Sequence, residues 1–224
     1  MLYPVNELFE TIQGEGVFTG VPAVFLRLQG CPVGCSWCDT KHTWDKHDSD
    51  RIELVEVLAK TQESPRWSNN SAAQLLAHCL ANYHARHLVI TGGEPCLYDL
   101  RPLCDAFTEA GFTTQIETSG TYPVLANQQT WVTVSPKINM RGGLKMDLSA
   151  LHRANEIKHP VATTKDIEQL DALLADAAAS GEINAQICLQ PISQKPRATE
   201  LAIATCIQRN WRLSVQTHKY LGIE

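Results

Sequence analysis

The chain has 224 residues and predicts an α/β fold, an incomplete TIM-type barrel with mainly parallel strands. Three observations predict it. Short apolar runs rich in β-branched residues alternate with amphipathic helical patterns, the β-α-β-α order that builds a parallel sheet. The alternation thins between residues 113 and 159, where helices are not expected, so the barrel is incomplete rather than eightfold. The length suits one unbroken domain over residues 1–224.

The strands expected are Ala23–Leu28, His87–Thr91, Thr113–Glu117, Trp131–Ser135, Asn155–His159, Ala185–Gln190 and Arg212–Gln216. A first helix is predicted from near Asp50, with Ile52, Val55, Leu58 and Ala59 on one face and Asp50 and Glu53 at capping-box spacing. A second follows Ser71, with Gln74 as its reciprocal cap. A third runs from Tyr98 to Ala110 and stops at Gly111. A fourth starts near Asp166, and a fifth after Pro196, which suits a first helical turn. Lys60–Asn70 reads as a surface insertion.

Composition narrows the function classes. There is no basic-then-apolar N-terminal leader pattern and no apolar run long enough to span a bilayer, so a cytoplasmic protein without a membrane partner is expected. The formal charge is −5 and no basic stripe carries interleaved aromatics, which argues against direct nucleic-acid binding. Eight cysteines in such a chain read as reduced thiols. Cys79, Cys104, Cys188 and Cys206 fall in helix or strand patterns and read as small buried apolar residues, while Cys96, after a glycine-rich turn, is ambiguous.

The other three are different. Cys31, Cys35 and Cys38 sit at C-x3-C-x2-C spacing, close enough to share one soft metal centre. Three thiolates leave one coordination position open for chemistry. His42 follows closely, so a Cys3His zinc site is an alternative, as is a disulfide with a spare thiol. What favours catalysis is placement. The cysteine run, Thr91-Gly92-Gly93-Glu94-Pro95, Glu117-Thr118-Ser119-Gly120, Ser135-Pro136-Lys137, Lys158-His159-Pro160, Gln190-Pro191 and Gln216-Thr217-His218-Lys219 all end strands. In a parallel barrel those ends form one rim, where active sites are built. Arg27 lies between Leu26 and Leu28, so strand alternation turns it inward if they face the helices.

The cysteine run together with Gly92-Gly93-Glu94-Pro95 resembles the radical S-adenosylmethionine (SAM) superfamily. Phe9–Gly16 (FETIQGEG), Phe25–Cys31 (FLRLQGC), Trp37–Thr40 (WCDT), Ile116–Thr121 (IETSGT), Val134–Lys137 (VSPK) and Gln216–Lys219 (QTHK) are similar to the 7-carboxy-7-deazaguanine synthase family of that superfamily, over residues 1 to about 220. The resemblance implies a radical SAM core and a [4Fe-4S] cluster on Cys31, Cys35 and Cys38, whose open iron binds SAM. It implies that Trp37, Gly93, Ser135, Pro136 and Lys137 lie along SAM. It implies a lyase that contracts the ring of 6-carboxy-5,6,7,8-tetrahydropterin with loss of ammonia, in queuosine biosynthesis. Ile12, Gln13, Gly14, Glu15, Arg27, Thr91 and His218 would meet that substrate, Arg27 clamping its carboxylate, and Thr40 would bind Mg²⁺. A homodimer and an external electron donor such as a flavodoxin are further implications. A radical SAM activating enzyme with a protein substrate is the runner-up, but it leaves Gln13, Glu15 and Arg27 unexplained.

Overall fold

The computed structural model describes residues 1–192 and 195–223. Its elements run β1 (Tyr3–Ile12), β2 (Pro22–Leu28), α1 (Leu54–Leu58), β3 (Ser68–Asn70), α2 (Ala72–Asn82), β4 (His87–Gly92), α3 (Arg101–Glu109), β5 (Thr113–Thr118), β6 (Trp131–Val134), α4 (Leu148–Arg153), β7 (Glu156–Val161), α5 (Thr164–Ala178), β8 (Gln186–Pro191), α6 (Pro196–Arg209), β9 (Arg212–Leu213) and α7 (Thr217–Leu221). One sheet holds them in the order β3-β1-β2-β4-β5-β6-β7-β8-β9. Every pairing from β2 onward is parallel, while β1 is antiparallel to both β2 and β3. This is the incomplete, mainly parallel barrel that the sequence predicts.

Two apolar layers fix the outer face of the sheet. Val24, Leu26 and Leu28 of β2 pack with Leu75 and Cys79 of α2 and with Leu103, Cys104 and Phe107 of α3. Val132, Val134, Ile157 and Leu189 pack with Ile167 and Leu170 of α5 and Ala202 and Cys206 of α6. Each such large side chain contributes roughly 1.5–3 kcal/mol when fully buried. Helix ends follow local chemistry. Ser71 and Gln74 form the reciprocal cap of α2, Thr163 and Asp166 that of α5, and Pro196 opens α6.

Several boundaries differ from expectation. The first helix starts at Leu54, capped by Glu53 and Glu56, because Asp50 is held in a short 3-10 turn. Tyr98 lies outside α3, its hydroxyl donating to the Gln29 carbonyl. Strands β5 and β6 are joined without a helix as expected, but α4, capped by Asp147, stands between β6 and β7. Residues 60–70 are not simply a surface insertion: Trp67 is buried, Ser68–Asn70 pairs with β1, and the Lys60 ammonium donates to the Asn6 carbonyl at 2.8 Å. The last strand stops at Leu213, and Gln216 caps the start of α7 instead.

The turn between β1 and β2 has a special course. Ile12 pairs with Pro22, and the residues between them fold into the barrel instead of standing away from it. Phe18 packs against His87 and Trp131, which open β4 and β6, with centroids 4.5 and 5.1 Å away. Gly16 N–H donates to Ser214 Oγ, and Val17 N–H to the buried Glu156 carboxylate. This tip joins β4–β6 to the segment beyond β9, closing the interior from below.

Candidate active site

Above that plug lies a cavity of about 390 Å³. Its wall contains Cys31, Cys35 and Cys38 with Thr91, Gly93, Ser135 and Lys137 from the rim, and Gln13, Glu15, Glu117 and Lys158 from deeper in the barrel. Thus the strand-end motifs do converge. Ile12, Gly14, Arg27, Trp37, Thr40 and His218 line it too. Pro136 does not; it is buried behind Ser135 and Lys137.

The cysteine loop is held at its base by Gly30 N–H donating to the Thr43 carbonyl and Cys31 N–H to that of Trp44. The next turn supports it. Glu94 N–H donates to the Gly30 carbonyl and Gly93 N–H to that of Leu28, both at 2.8 Å. A Cβ on Gly93 would collide with the Gly30 carbonyl oxygen and lie 2.6 Å from its carbon. The glycine is therefore required by the approach of this turn to the cysteine loop, whatever ligand lies beyond. The Glu94 carboxylate is buried and accepts from Thr118 Oγ1, Ser119 Oγ and the amides of Cys96 and Ser119, tying β4 to the end of β5.

The thiols suit an iron–sulfur cluster. They are three soft donors on one rim, and Trp44 Nε1–H donates to Cys38 Sγ at 3.3 Å, an outer contact that would orient a sulfur ligand. Burial pushes Cys31 up to about 11 and raises Cys35, the latter opposed by the nearby Lys137, so metal binding would have to draw off these protons. Among the described residues, no group of three His, Cys, Asp or Glu closes on a single ion. His42 instead lies 3.3 Å from Glu7 and 3.5 Å from Glu63. The histidine that a Cys3His zinc site would need is thus engaged by two carboxylates. The other five cysteines are buried and unpaired, Cys96 included. Thr40 Oγ1 stands 3.6 Å from Cys38 Sγ, at the junction of thiol rim and cavity.

The deep end is polar and ordered. Lys158 donates to Glu15 at 2.6 Å and to Glu117 at 2.8 Å, with only 5% of its side chain exposed. Gln216 and Gln190 donate to the other oxygen of Glu15, and Gln115 and Gln13 to that of Glu117. Burial disfavours all three charges, but the two carboxylates outweigh it at Lys158 and raise its pKa. At Glu15, Lys158 and Gln216 outweigh burial and hold the carboxyl at about 2. Glu117 is raised, burial and its neighbour Glu15 prevailing over Lys158. The pair thus has a stronger and a weaker acid. Arg27 is on the inner face as alternation requires, its Nε bonded to Glu7 at 2.5 Å. His218 packs over Gly14, and burial lowers its pKa.

Sequence reasoning named Lys158, Glu117, Gln190 and Gln216 only within strand-end motifs and gave them no role. A signal existed at Lys158. Glu156 and Lys158 alternate with Ile157 in a strand flanked on both sides, where a purely structural strand would be continuously apolar.

The family model described as "4Fe-4S single cluster domain" matches residues 12–140. The chain is 60% identical to the 7-carboxy-7-deazaguanine synthase of Escherichia coli strain K12, over all of both chains. It is 45% identical to the protein of that name from Buchnera aphidicola, again over all of both, and 34% identical to that from Synechocystis, over 99% of this chain and 93% of the relative. The crystal structure of QueE from Escherichia coli superposes with a TM-score of 0.93 at 59% identity, covering 96% of this chain and 94% of that one.

Proposed function

The chain belongs to the 7-carboxy-7-deazaguanine synthase family, and from that membership we propose how its own cavity serves the reaction. It is a radical SAM lyase of queuosine biosynthesis that carries a [4Fe-4S] cluster and converts 6-carboxy-5,6,7,8-tetrahydropterin to 7-carboxy-7-deazaguanine. The ring contracts and one ammonia leaves, which balances substrate against product. One observation carries the assignment of parts: three thiols and an ordered polar floor line the same cavity.

Cys31, Cys35 and Cys38 hold the cluster, which with SAM supplies the radical chemistry. Gly93, Ser135 and Lys137 lie along SAM, with Trp37 beside them and Pro136 supporting their turn from behind. Gln13 and Glu15, with the backbone of Ile12 and Gly14, meet the pterin ring, and Thr91 and His218 flank it. Arg27, anchored through Nε by Glu7, presents its outer amino groups to the substrate carboxylate. Thr40 would supply one hydroxyl to a Mg²⁺, an ion that usually keeps several of its waters and needs few protein ligands. Orientation does much of the work here, because the reacting ring is held between fixed groups. A single unit over residues 1–224, working as a cytoplasmic homodimer, receives electrons from a donor such as a flavodoxin. No helix among the described residues is long and apolar enough to cross a membrane.

The test is anaerobic reconstitution with iron and sulfide, then incubation with SAM, a reductant, Mg²⁺ and the carboxytetrahydropterin. A product lighter than the substrate by one ammonia, with ammonia released, is expected. Reductive SAM cleavage with the pterin left unchanged would overturn the substrate assignment.

A further inference from the structure

The substrate groups just proposed leave a buried cation unexplained. Lys158 sits at the closed end of the cavity, and two of its three N–H donors are taken by Glu15 and Glu117. An ammonium and two carboxylates are expensive to bury, and apolar residues of similar volume would generally serve stability as well. Its position gives the reason. Each carboxylate has one oxygen on Lys158, and its other oxygen on glutamine side chains. Both are thereby fixed in place with lone pairs left for a ligand. The Gln216 amide also favours the charged form of Glu15, but Lys158 gives the larger share there and is the ammonium bonded to both carboxylates.

We infer that Lys158 is a positioning residue that holds the Glu15 and Glu117 carboxyl groups side by side as acceptors at the cavity floor and opposes their protonation, so that the site reads the 2-amino and N3–H donors of a pterin and rejects a ring carrying oxygen at position 2. The inference rests on the substrate reading above. Other groups sharing this field are Glu156 on the same face of β7, Cys188 on β8, Lys137 after β6 and His218 of α7. None of them bonds either carboxylate oxygen. Glu117, the weaker acid of the pair, is the group that would take up a proton first if Lys158 were removed.

The test uses the anaerobically reconstituted protein with SAM bound, titrated by fluorescence with 6-carboxypterin and with its 2-oxo counterpart, 6-carboxylumazine. Wild type should prefer the pterin by at least about tenfold, well within what a site built to pair a donor can reach. Lys158→Met should lose most of that preference, and its pterin affinity should fall more steeply than that of wild type as pH drops from about 7 to about 6. Glu117→Gln, which imitates the protonated acid and keeps Lys158, should bind the pterin weakly at both pH values and without pH dependence. It also decides the matter if Lys158→Met does not fold, since unchanged pterin affinity in Glu117→Gln would overturn the inference. A Lys158→Met protein that binds both rings equally less well at every pH would show a merely structural lysine and overturn it too. Wild type that binds neither ring would instead bring down the substrate reading, and the inference with it.

Discussion

Gly93→Ala is a sharp test of how the cysteine loop is positioned. The added methyl group would occupy space now held by the Gly30 carbonyl and would press on Cys31 Cβ at 3.2 Å. These atoms are backbone or a packed side-chain root, so no flexible end can move aside. Relief requires the turn to retreat from the loop, which weakens the hydrogen bonds Gly93 N–H to Leu28 and Glu94 N–H to Gly30. Two such bonds correspond to about 1–3 kcal/mol. For a chain of this size each kcal/mol lowers Tm by about 2–4 °C, so a fall of roughly 2–12 °C is expected. Thermal unfolding of the metal-free protein measures it, and iron content after anaerobic reconstitution reports whether Cys31 still meets its partners. Both should decline. Wild-type Tm and full iron loading in Gly93→Ala would refute the argument that this turn sets the loop.

Other perturbations separate the remaining parts. Alanine at Cys31, Cys35 or Cys38 should abolish iron loading and SAM cleavage, whereas His42→Ala should retain iron; loss of iron in the histidine variant would restore the Cys3His site. Thr40→Ala should keep its cluster and cleave SAM, yet turn over the pterin about one to two decades more slowly, the equivalent of roughly 1.5–3 kcal/mol, and no longer respond to added Mg²⁺. Wild-type turnover with the same magnesium dependence would reduce Thr40 to a loop residue. Burial alone would raise Glu7, but His42 and Arg27 outweigh it and bring the carboxyl from 4.5 to about 2. A depressed carboxyl contributes stability that is complete above its unfolded pKa and is lost as pH falls through the folded one. Acid unfolding should therefore draw on Glu7 between pH 4.5 and about 2, and Glu7→Gln should be less stable near neutrality with a shallower loss over that window. Superimposable acid curves would mean the pairing adds nothing.

Much of the fold is readable because its signals are local. The outer-face residues Val24, Leu26 and Leu28 recur at every second position, and the start signals at Ser71, Asp166 and Pro196 lie within a turn of the helix starts they mark. Strand β1 was not readable, because YPVNELFETI carries Asn6, Glu7 and Glu10 among its apolar residues and both its neighbours are antiparallel. Strand β3 spans only three residues, too few for any period. The site divides the same way. The thiols lie within one loop and Arg27 declares its face by alternation. Lys158 meets Glu15 across 143 residues and Glu117 across 41, and no local pattern encodes such a meeting. The inward fold of the β1–β2 turn, which carries Gln13 and Glu15 into the barrel, depends likewise on distant Ser214 and Glu156.

The central claim is that the thiol rim and the carboxylate floor are two ends of one reaction chamber. It is tested most directly by measuring iron content, SAM cleavage and deazapurine product together in Cys35→Ala and Glu15→Gln. Damage at the rim should remove all three. Damage at the floor should leave iron and SAM cleavage near wild type while product falls by about one to two decades, the equivalent of losing a charged hydrogen-bond acceptor. If Glu15→Gln forms product at the wild-type rate, or if Cys35→Ala still does, the two ends do not serve one reaction and the account is contradicted.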